Sequence, residues 1–301
     1  MTRRLFLTTP LRDEINNIER LFASVAAQDM QITCWVIVEN GSTDGSQEAL
    51  SRRAPPANVD TMIVLNQLCK GQVYGLGSKY AGIVQIGFAR ICSQLDIGPE
   101  DMIGILDADS FPGPRYYTQL SDGFDRDPKL GIASGRCVDD LTGQPSRHAA
   151  DWVLGSCRIW RGACFLGSGY VIGPSADTLS LARAELDGWF ARVLPQAQFR
   201  AREVGLRARQ NYYGRSAHFR GNTPFYACLR WGKFLARGEM RAGYDFVAGY
   251  LSAWIGRAPR IEDPELRNYF ARYVPRKLAK AIRSQIGRMG FRIASRKWPI
   301  S

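Results

Sequence analysis

Asp107 and Asp109 flank Ala108, directly after the apolar run 102–106, and Ser110 then leads into Phe111-Pro112-Gly113. Two carboxylates at the end of a buried strand are costly as unpaired anions. At such an end one can converge on a hard divalent cation, the other on a ribose hydroxyl or a water. Mg2+ and Mn2+ prefer oxygen ligands, and Mg2+ is often held by one or two carboxylates together with substrate phosphates. A D-x-D standing alone is more often a solvated strand-end turn. Two further polar groups follow apolar runs upstream: Thr8-Thr9 before Pro10, and Glu39-Asn40 opening the loop Gly41-Ser42-Thr43-Asp44-Gly45-Ser46.

These groups need strands and helices to bring them together. Residues 4–10 and 61–65 read as short strands, and 32–38 (ITCWVIV) as a strand buried on both faces, as in a parallel sheet. Apolar positions recur at helical spacing over 13–28 and 78–95, and Ser46 or Asp44 can cap a helix running to about Arg53. Strands thus alternate with helices over the first 110 residues, which predicts βαβ units and a largely parallel sheet. Ligands of such sheets sit beyond the carboxyl ends of the strands, where Thr8, Thr9, Glu39, Asn40, Asp107 and Asp109 fall. Farther on, 131–138 and 169–173 read as strands and 177–190 as a helix. From Phe225 the chain turns aromatic, basic and helical, with a boundary expected near residue 222.

The combination is more specific than its parts. Leu7-Thr8-Thr9-Pro10 with Glu14, then Ser24-Val25-Ala26-Ala27-Gln28, then Trp35 through Ser46, and then Ile105-Leu106-Asp107-Ala108-Asp109-Ser110 resemble family 2 glycosyltransferases over residues 4–115. The resemblance implies an α/β, GT-A type fold: a mainly parallel nucleotide-binding sheet flanked by helices, with a basic helical C-terminal extension. It implies a catalytic domain over 1–222, with nucleotide-sugar binding in 1–115 and an acceptor-side half in 116–222, followed by a basic, aromatic-rich region over 223–301. The implied reaction moves one sugar from a nucleotide diphosphate sugar, UDP being the family's commonest donor, to a hydroxyl acceptor, with inversion and a divalent metal (Mn2+ or Mg2+). Thr8, Thr9, Pro10 and Glu39 match the base-contacting strand ends, with Glu39 replacing the usual Asp. Asn40 and Asp44 match the loop shaping the nucleotide pocket, and Lys79 a second base or phosphate contact. Asp107, with Ala108 beside it, matches the ribose-side aspartate, and Asp109 the metal ligand.

Inversion needs one protein base to take the acceptor's proton. The family's Glu-Asp pair opening a helix is missing. Arg202-Glu203-Val204-Gly205-Leu206-Arg207 is the nearest match, which makes Glu203 the candidate base and Asp187 the second. His218 lies about where some members place a late metal-reaching histidine. Gly167-Ser168-Gly169-Tyr170 could line the sugar. Arg230-Trp231 resembles part of the Q-x-x-R-W of processive synthases, but Ala227 stands in place of Gln, so a single transfer is expected.

Charge separates the two halves. The net charge is +12, distributed as −4 over residues 1–150 and +16 over 151–301. A basic half implies an anionic partner. After Glu265 no acidic residue follows, while Phe270, Val274, Leu278, Ile282, Ile286, Met289 and Ile293 recur at helical spacing among Arg and Lys, with Trp298 near the end. This is the pattern of an interfacial helix, so 267–298 is expected to meet an anionic membrane surface; without a groove-reading motif, nucleic acid is not an expected partner. The seven scattered cysteines form no CxxC, and no run approaches the roughly 20 apolar residues of a spanning helix. A cytoplasmic protein, peripheral on the inner membrane face, is the expectation. Two rivals remain: a nucleotidyltransferase, which would want a glycine-rich basic loop after the first strand, and a non-catalytic membrane- or nucleic-acid-binding module on a degenerate transferase fold.

Overall fold

The computed structural model describes residues 3–67, 77–146, 152–202 and 210–275. The chain forms two compact units, Met1–Leu206 and Arg207–Ser301. The division falls before the expected boundary at 222, because the helix over Gln210–Arg220 packs on helices that follow it.

The first unit is built on one eight-stranded sheet. Its strands are β1 (Leu5–Leu11), β2 (Ile32–Glu39), β3 (Val59–Asn66), β4 (Met102–Leu106), β5 (Ser110–Pro112), β6 (Leu130–Asp139), β7 (Cys157–Arg161) and β8 (Phe190–Ala201). They lie in the order β3-β2-β1-β4-β7-β6-β8-β5. The β3-β2-β1-β4 half is parallel throughout, as the β-α alternation predicts. β7 then runs antiparallel to both β4 and β6, which makes the sheet mixed.

Helices cover both faces of the parallel half, and the alternation of side chains along each strand assigns residues to one layer or the other. Leu7, Leu11, Trp35 and Ile37 face α1 (Ile15–Ala26), whose Ile18, Leu21, Phe22 and Val25 are buried against them. Phe6, Val36, Val38, Ile103 and Ile105 face α3 (Ser78–Gln94), through Ala81, Val84, Phe88 and Ile91. The α3 layer comes very close: a Cβ placed on Gly87 would lie 1.8 Å from Thr8 Oγ1. Short α2 (Ser46–Ser51) follows the loop after β2, and α4 (Tyr116–Arg126) follows β5. α5 (Gly162–Ser168) and α6 (Ala176–Leu186) connect β7 to β8.

Two sequence expectations change here. Residues 169–173 form an irregular connection between α5 and α6, with Gly169 and Gly173 both at positive φ. The helix expected over 177–190 ends at Leu186, because Gly188 turns the chain at φ 86° and β8 begins at Phe190.

The second unit is helical, with α7 (Gln210–Arg220), α8 (Pro224–Leu235), α9 (Met240–Ile255) and α10 (Pro264–Ala271). Ala217, Ala227, Phe234, Phe246 and Tyr250 form its core. Thr223 caps α8 and Asp263 caps α10, each followed by a proline in the first turn.

Candidate functional site

The carboxyl ends of β1, β2 and β4 lie side by side, so the residues just beyond them share one edge of the sheet. The loop after β2 is laced to the start of α1. Asp13 donates its N–H to Ser42 Oγ at 2.9 Å, and its Oδ1 accepts the Thr43 N–H at 2.7 Å. The Glu14 N–H donates to Ser46 Oγ and the Ile15 N–H to Asp44 Oδ2, at 3.0 and 2.9 Å. Asp44 Oδ1 accepts from the Ser46 N–H and hydroxyl. Burial opposes its ionisation, but these hydrogen bonds outweigh it and leave Asp44 below the usual carboxylate range. Asp44 thus fixes the loop and, through it, the position of Glu14.

Below the D-x-D, Gln28 does similar work. Its side-chain amide donates to the carbonyls of Ser24, Pro112 and Gly113, tying the end of α1 to the segment after Asp109. Ala108 is buried in the α1 layer, which leaves Asp107 and Asp109 on either side of it half-buried at the edge.

Arg202, just past β8, brings Glu14 and Asp109 together. Its Nη2 lies 2.8 and 3.0 Å from the two Glu14 oxygens, and its Nε donates to Asp109 Oδ2 at 3.1 Å. The two carboxylates therefore converge on a single cationic group. Burial raises the Glu14 carboxyl above the usual range; Asn17 and Arg202 oppose that rise and Asp109 adds to it. Asp107 is raised further, first by burial and then by the charge of Asp109, while the hydroxyl of Tyr80 donates to its Oδ1. Tyr80 comes from the first turn of α3, next to Lys79, so Lys79 lies at the same edge and is exposed.

Asp177, in the first turn of α6, is a carboxylate of this neighbourhood that the sequence patterns do not single out. Its charge raises both Asp107 and Tyr80, and its Oδ1 has no hydrogen-bond partner among the described residues. Arg158 lies beneath it, fully buried. Its guanidinium donates to the carbonyls of Val153, Leu154 and Asp177, with Nη1 4.0 Å from Asp177 Oδ1. Gly155 leaves room for this carboxylate, since a Cβ would fall 2.3 Å from Asp177 Oδ2 and push it aside. Asp177 and Tyr80 were detectable in principle as an acidic residue opening a helix and as the polar-tipped member of an apolar stripe.

Other expected site residues have different surroundings. Thr8 and Thr9 are fully buried on opposite faces of β1. Thr8 lies under Gly87, and Thr9 Oγ1 accepts from Trp35 Nε1 at 2.8 Å. The Thr8 hydroxyl has no hydrogen-bond partner among the described residues and that of Thr9 is taken by a neighbouring strand, so both side chains sit inside the layers, while half-buried Pro10 is nearer the edge. Glu39 is 1% exposed, and its Oε1 accepts the Ser42 N–H. Asn40 donates its N–H to Leu11 O and keeps a buried Oδ1 without a partner among the described residues.

Asp187 is at the wrong edge. It accepts from Ser168 Oγ at 2.6 Å, and α5 begins where the Gly162 and Ala163 N–H groups meet Asp101 O and Pro99 O, at the amino end of β4. The length of α6, about 15 Å at 1.5 Å per residue, separates it from Asp177. Neither Asp187 nor Ser168 is placed to meet a sugar beside Asp109. His218 is 2% exposed within the second unit, where Arg260 Nε donates to its Nε2 at 3.3 Å and Tyr250 packs against its ring. Burial, and then Arg260, holds its pKa below the usual value, so it is a neutral core histidine. Glu203 lies outside the described residues, as does the basic tail beyond Val274-Pro275. Phe270, the first member of the tail's stripe, is buried in the second unit under Arg220.

The fit to a divalent cation rests on the donor set. Glu14 and Asp109 are hard oxygen ligands already gathered around one positive group, at a strand edge that a diphosphate could reach. No cluster of three or more His, Cys, Asp or Glu side chains suited to a metal occurs among the described residues. A pair of carboxylates is nevertheless what Mg2+ commonly takes from a protein when phosphates complete its shell.

No family model and no curated protein sequence matches the chain. Solved structures do. A mannosyltransferase from Pyrobaculum calidifontis in complex with GDP-Man and Mn2+ is 16% identical, with a TM-score of 0.52, covering 98% of this chain and 86% of that one. S. aureus TarS 1-349 in complex with UDP is 13% identical with a TM-score of 0.53, covering 84% and 72%. GalNAc-T7 with UDP, GalNAc and Mn2+ is 11% identical with a TM-score of 0.54, covering 93% and 58%. The chain spans 43% of the length of a longer S. aureus TarS structure. Likeness at such low identity is likeness of fold. The chain has the GT-A type fold found in these nucleotide-sugar glycosyltransferases.

Proposed function

We propose that this chain is a metal-dependent, inverting glycosyltransferase that moves one sugar from a nucleotide diphosphate sugar, with UDP the first base to test, to a hydroxyl acceptor. The observation that carries the reading is the convergence of Glu14 and Asp109 on one cationic group, beside Asp107, at the carboxyl ends of parallel strands. Support also comes from the solved structures of like fold, which hold UDP, GDP-Man or Mn2+.

In this reading Asp109 and Glu14 would hold the cation. When bound, it would neutralise the charge developing on the departing nucleoside diphosphate. Arg202 would release one or both carboxylates and remain beside the phosphates as a second positive group. Asp107, braced by Tyr80, would face the ribose, and Lys79 would add charge at the start of α3. Glu203 is our base for the acceptor hydroxyl, supported by the position of its neighbour Arg202 at the site. Asp177 is the alternative base, favoured by an Oδ1 at the same edge that accepts no hydrogen bond among the described residues. The acceptor would be lipid-linked or phosphate-bearing, suited to the +16 charge of residues 151–301. The tail over 267–298 would rest on the inner face of a membrane. Among the described residues no helix is long and apolar enough to cross one.

Glu203→Gln and Asp177→Asn test the assignment. Loss of turnover with donor binding retained identifies the base. Full turnover in both variants would refute both choices.

A further inference from the structure

The second unit carries an apolar surface that its own core does not use. Nine of the sixteen large hydrophobic side chains exposed among the described residues belong to α8 and α9. On α9, Met240, Tyr244, Leu251, Trp254 and Ile255 are exposed, Tyr244 and Ile255 by more than 70%. At about 100° per residue they span an arc of about 100°. The half-buried Val247 lies within that arc and the half-buried Ala248 just beyond its edge. The opposite face of α9, with Phe246, Gly249 and Ala253, is buried, and a Cβ at Gly249 would meet the α7 backbone at Asn211 within 2.1 Å. This helix is therefore apolar on two sides, one of them packed and one uncovered. On α8 the exposed apolar side chains are Phe225, Leu229, Trp231 and Leu235.

The charge around this face selects its partner. Residues 224–260 hold six Arg or Lys against Glu239 and Asp245. Arg230 is spent over the rings of Phe234 and Phe246, and Arg260 on His218. Lys233, Arg237, Arg241 and Arg257 remain, all exposed, along the margins and ends of the two helices. A second copy of this chain would bring the same positive rim against itself. An acidic protein would satisfy the charges, yet indole and phenol rings beside exposed Leu and Ile suit the boundary between headgroups and acyl chains.

We propose that the exposed face of α8 and α9 docks on an anionic lipid bilayer, its apolar stripe entering the headgroup boundary and its basic rim meeting the lipid phosphates. This surface is distinct from the tail beyond residue 275, and it stands whether or not the donor-site reading holds.

The test uses the full chain and sedimentation with phosphatidylcholine vesicles, with and without phosphatidylglycerol. The proteins are wild type, the double variant Tyr244→Glu/Ile255→Glu, and the tail variant Lys277→Glu/Lys280→Glu. Both double-variant sites are solvent-exposed, and an unchanged melting midpoint verifies its fold. Wild type should bind the anionic vesicles and release with salt. The Tyr244→Glu/Ile255→Glu protein should partition at least about tenfold more weakly, and more weakly than the tail variant, which loses only the tail's own share of the binding. Three results would overturn the proposal: no binding by wild type, full binding by the double variant, or a wild-type dimer in light scattering that the double variant splits. None of these readouts involves a sugar donor, so they leave the donor-site reading to its own experiments.

Discussion

Replacing Arg202 by Gln should tighten divalent-cation binding in the absence of donor. Arg202 occupies the two carboxylates assigned to the cation, with contacts of 2.8–3.1 Å to Glu14 and Asp109. The side chains of Arg202, Glu14 and Asp109 are 45%, 20% and 23% exposed, so both pairs are partly screened by water. Exposed pairs contribute about 0.2–1 kcal/mol each. With one partner of each pair mostly covered, the upper part of that range applies, giving about 1–2 kcal/mol for the two together. A cation that must first dislodge the guanidinium gives up that amount. Removing the guanidinium should lower Kd by roughly 5- to 30-fold, since 1.4 kcal/mol is tenfold. Titration of Mn2+, with free Mn2+ read by electron paramagnetic resonance, measures this directly. The pH dependence gives a second reading. Burial already raises Glu14, and Arg202 holds the rise back; without Arg202, protons compete at higher pH and Mn2+ binding should fall more steeply on acidification. Arg202→Lys should lie between the two proteins. If Arg202→Gln binds Mn2+ no more tightly than wild type, the cation does not use Glu14 and Asp109, and the reasoning fails.

Asp107→Asn should abolish donor binding yet raise stability at neutral pH, because burial and Asp109 hold the native Asp107 pKa well above 3.8. A raised carboxyl contributes stability that is complete below its unfolded pKa and lost as pH climbs through its folded one. Melting midpoints should therefore decline with pH above about 4 more in wild type than in the variant; parallel curves would contradict the shift. Asp187→Asn should leave turnover and donor binding unchanged, and a large loss of activity would show that the site extends to the amino end of β4. Gly87→Ala should cost about 1–3 kcal/mol, the usual penalty for forcing a methyl into a packed core. Its Cβ would press on Thr8, and an unchanged melting midpoint would show that α3 can shift away.

The parallel half of the fold was legible because its strands are continuous apolar runs separated by amphipathic helices. β7 was hidden by its composition: Cys157-Arg158-Ile159-Trp160-Arg161 carries two arginines, yet both are buried, their guanidinium groups donating to backbone carbonyls. β8 was hidden by Pro195, which sits where the pairing with β6 shifts register between Leu194 and Gln198. At the site, the D-x-D could be read from residue type and spacing. The pairing of Glu14 with Arg202 joins residues 188 positions apart and leaves no local trace. Thr8 and Thr9 show the opposite failure. Polar residues at a strand end look available to a ligand, but consecutive side chains point to opposite faces, and here a helix covers each face.

The central claim is that Asp109, with Glu14 beside it, forms a cation-assisted donor site at the ends of β1, β2 and β4. The most direct test is the thermal midpoint of wild type and Asp109→Asn with UDP-, GDP- and dTDP-sugars, each with and without Mn2+. The account predicts a Mn2+-dependent rise with one nucleotide in wild type and none in the variant. No rise with any donor, or an equal rise in Asp109→Asn, would contradict it.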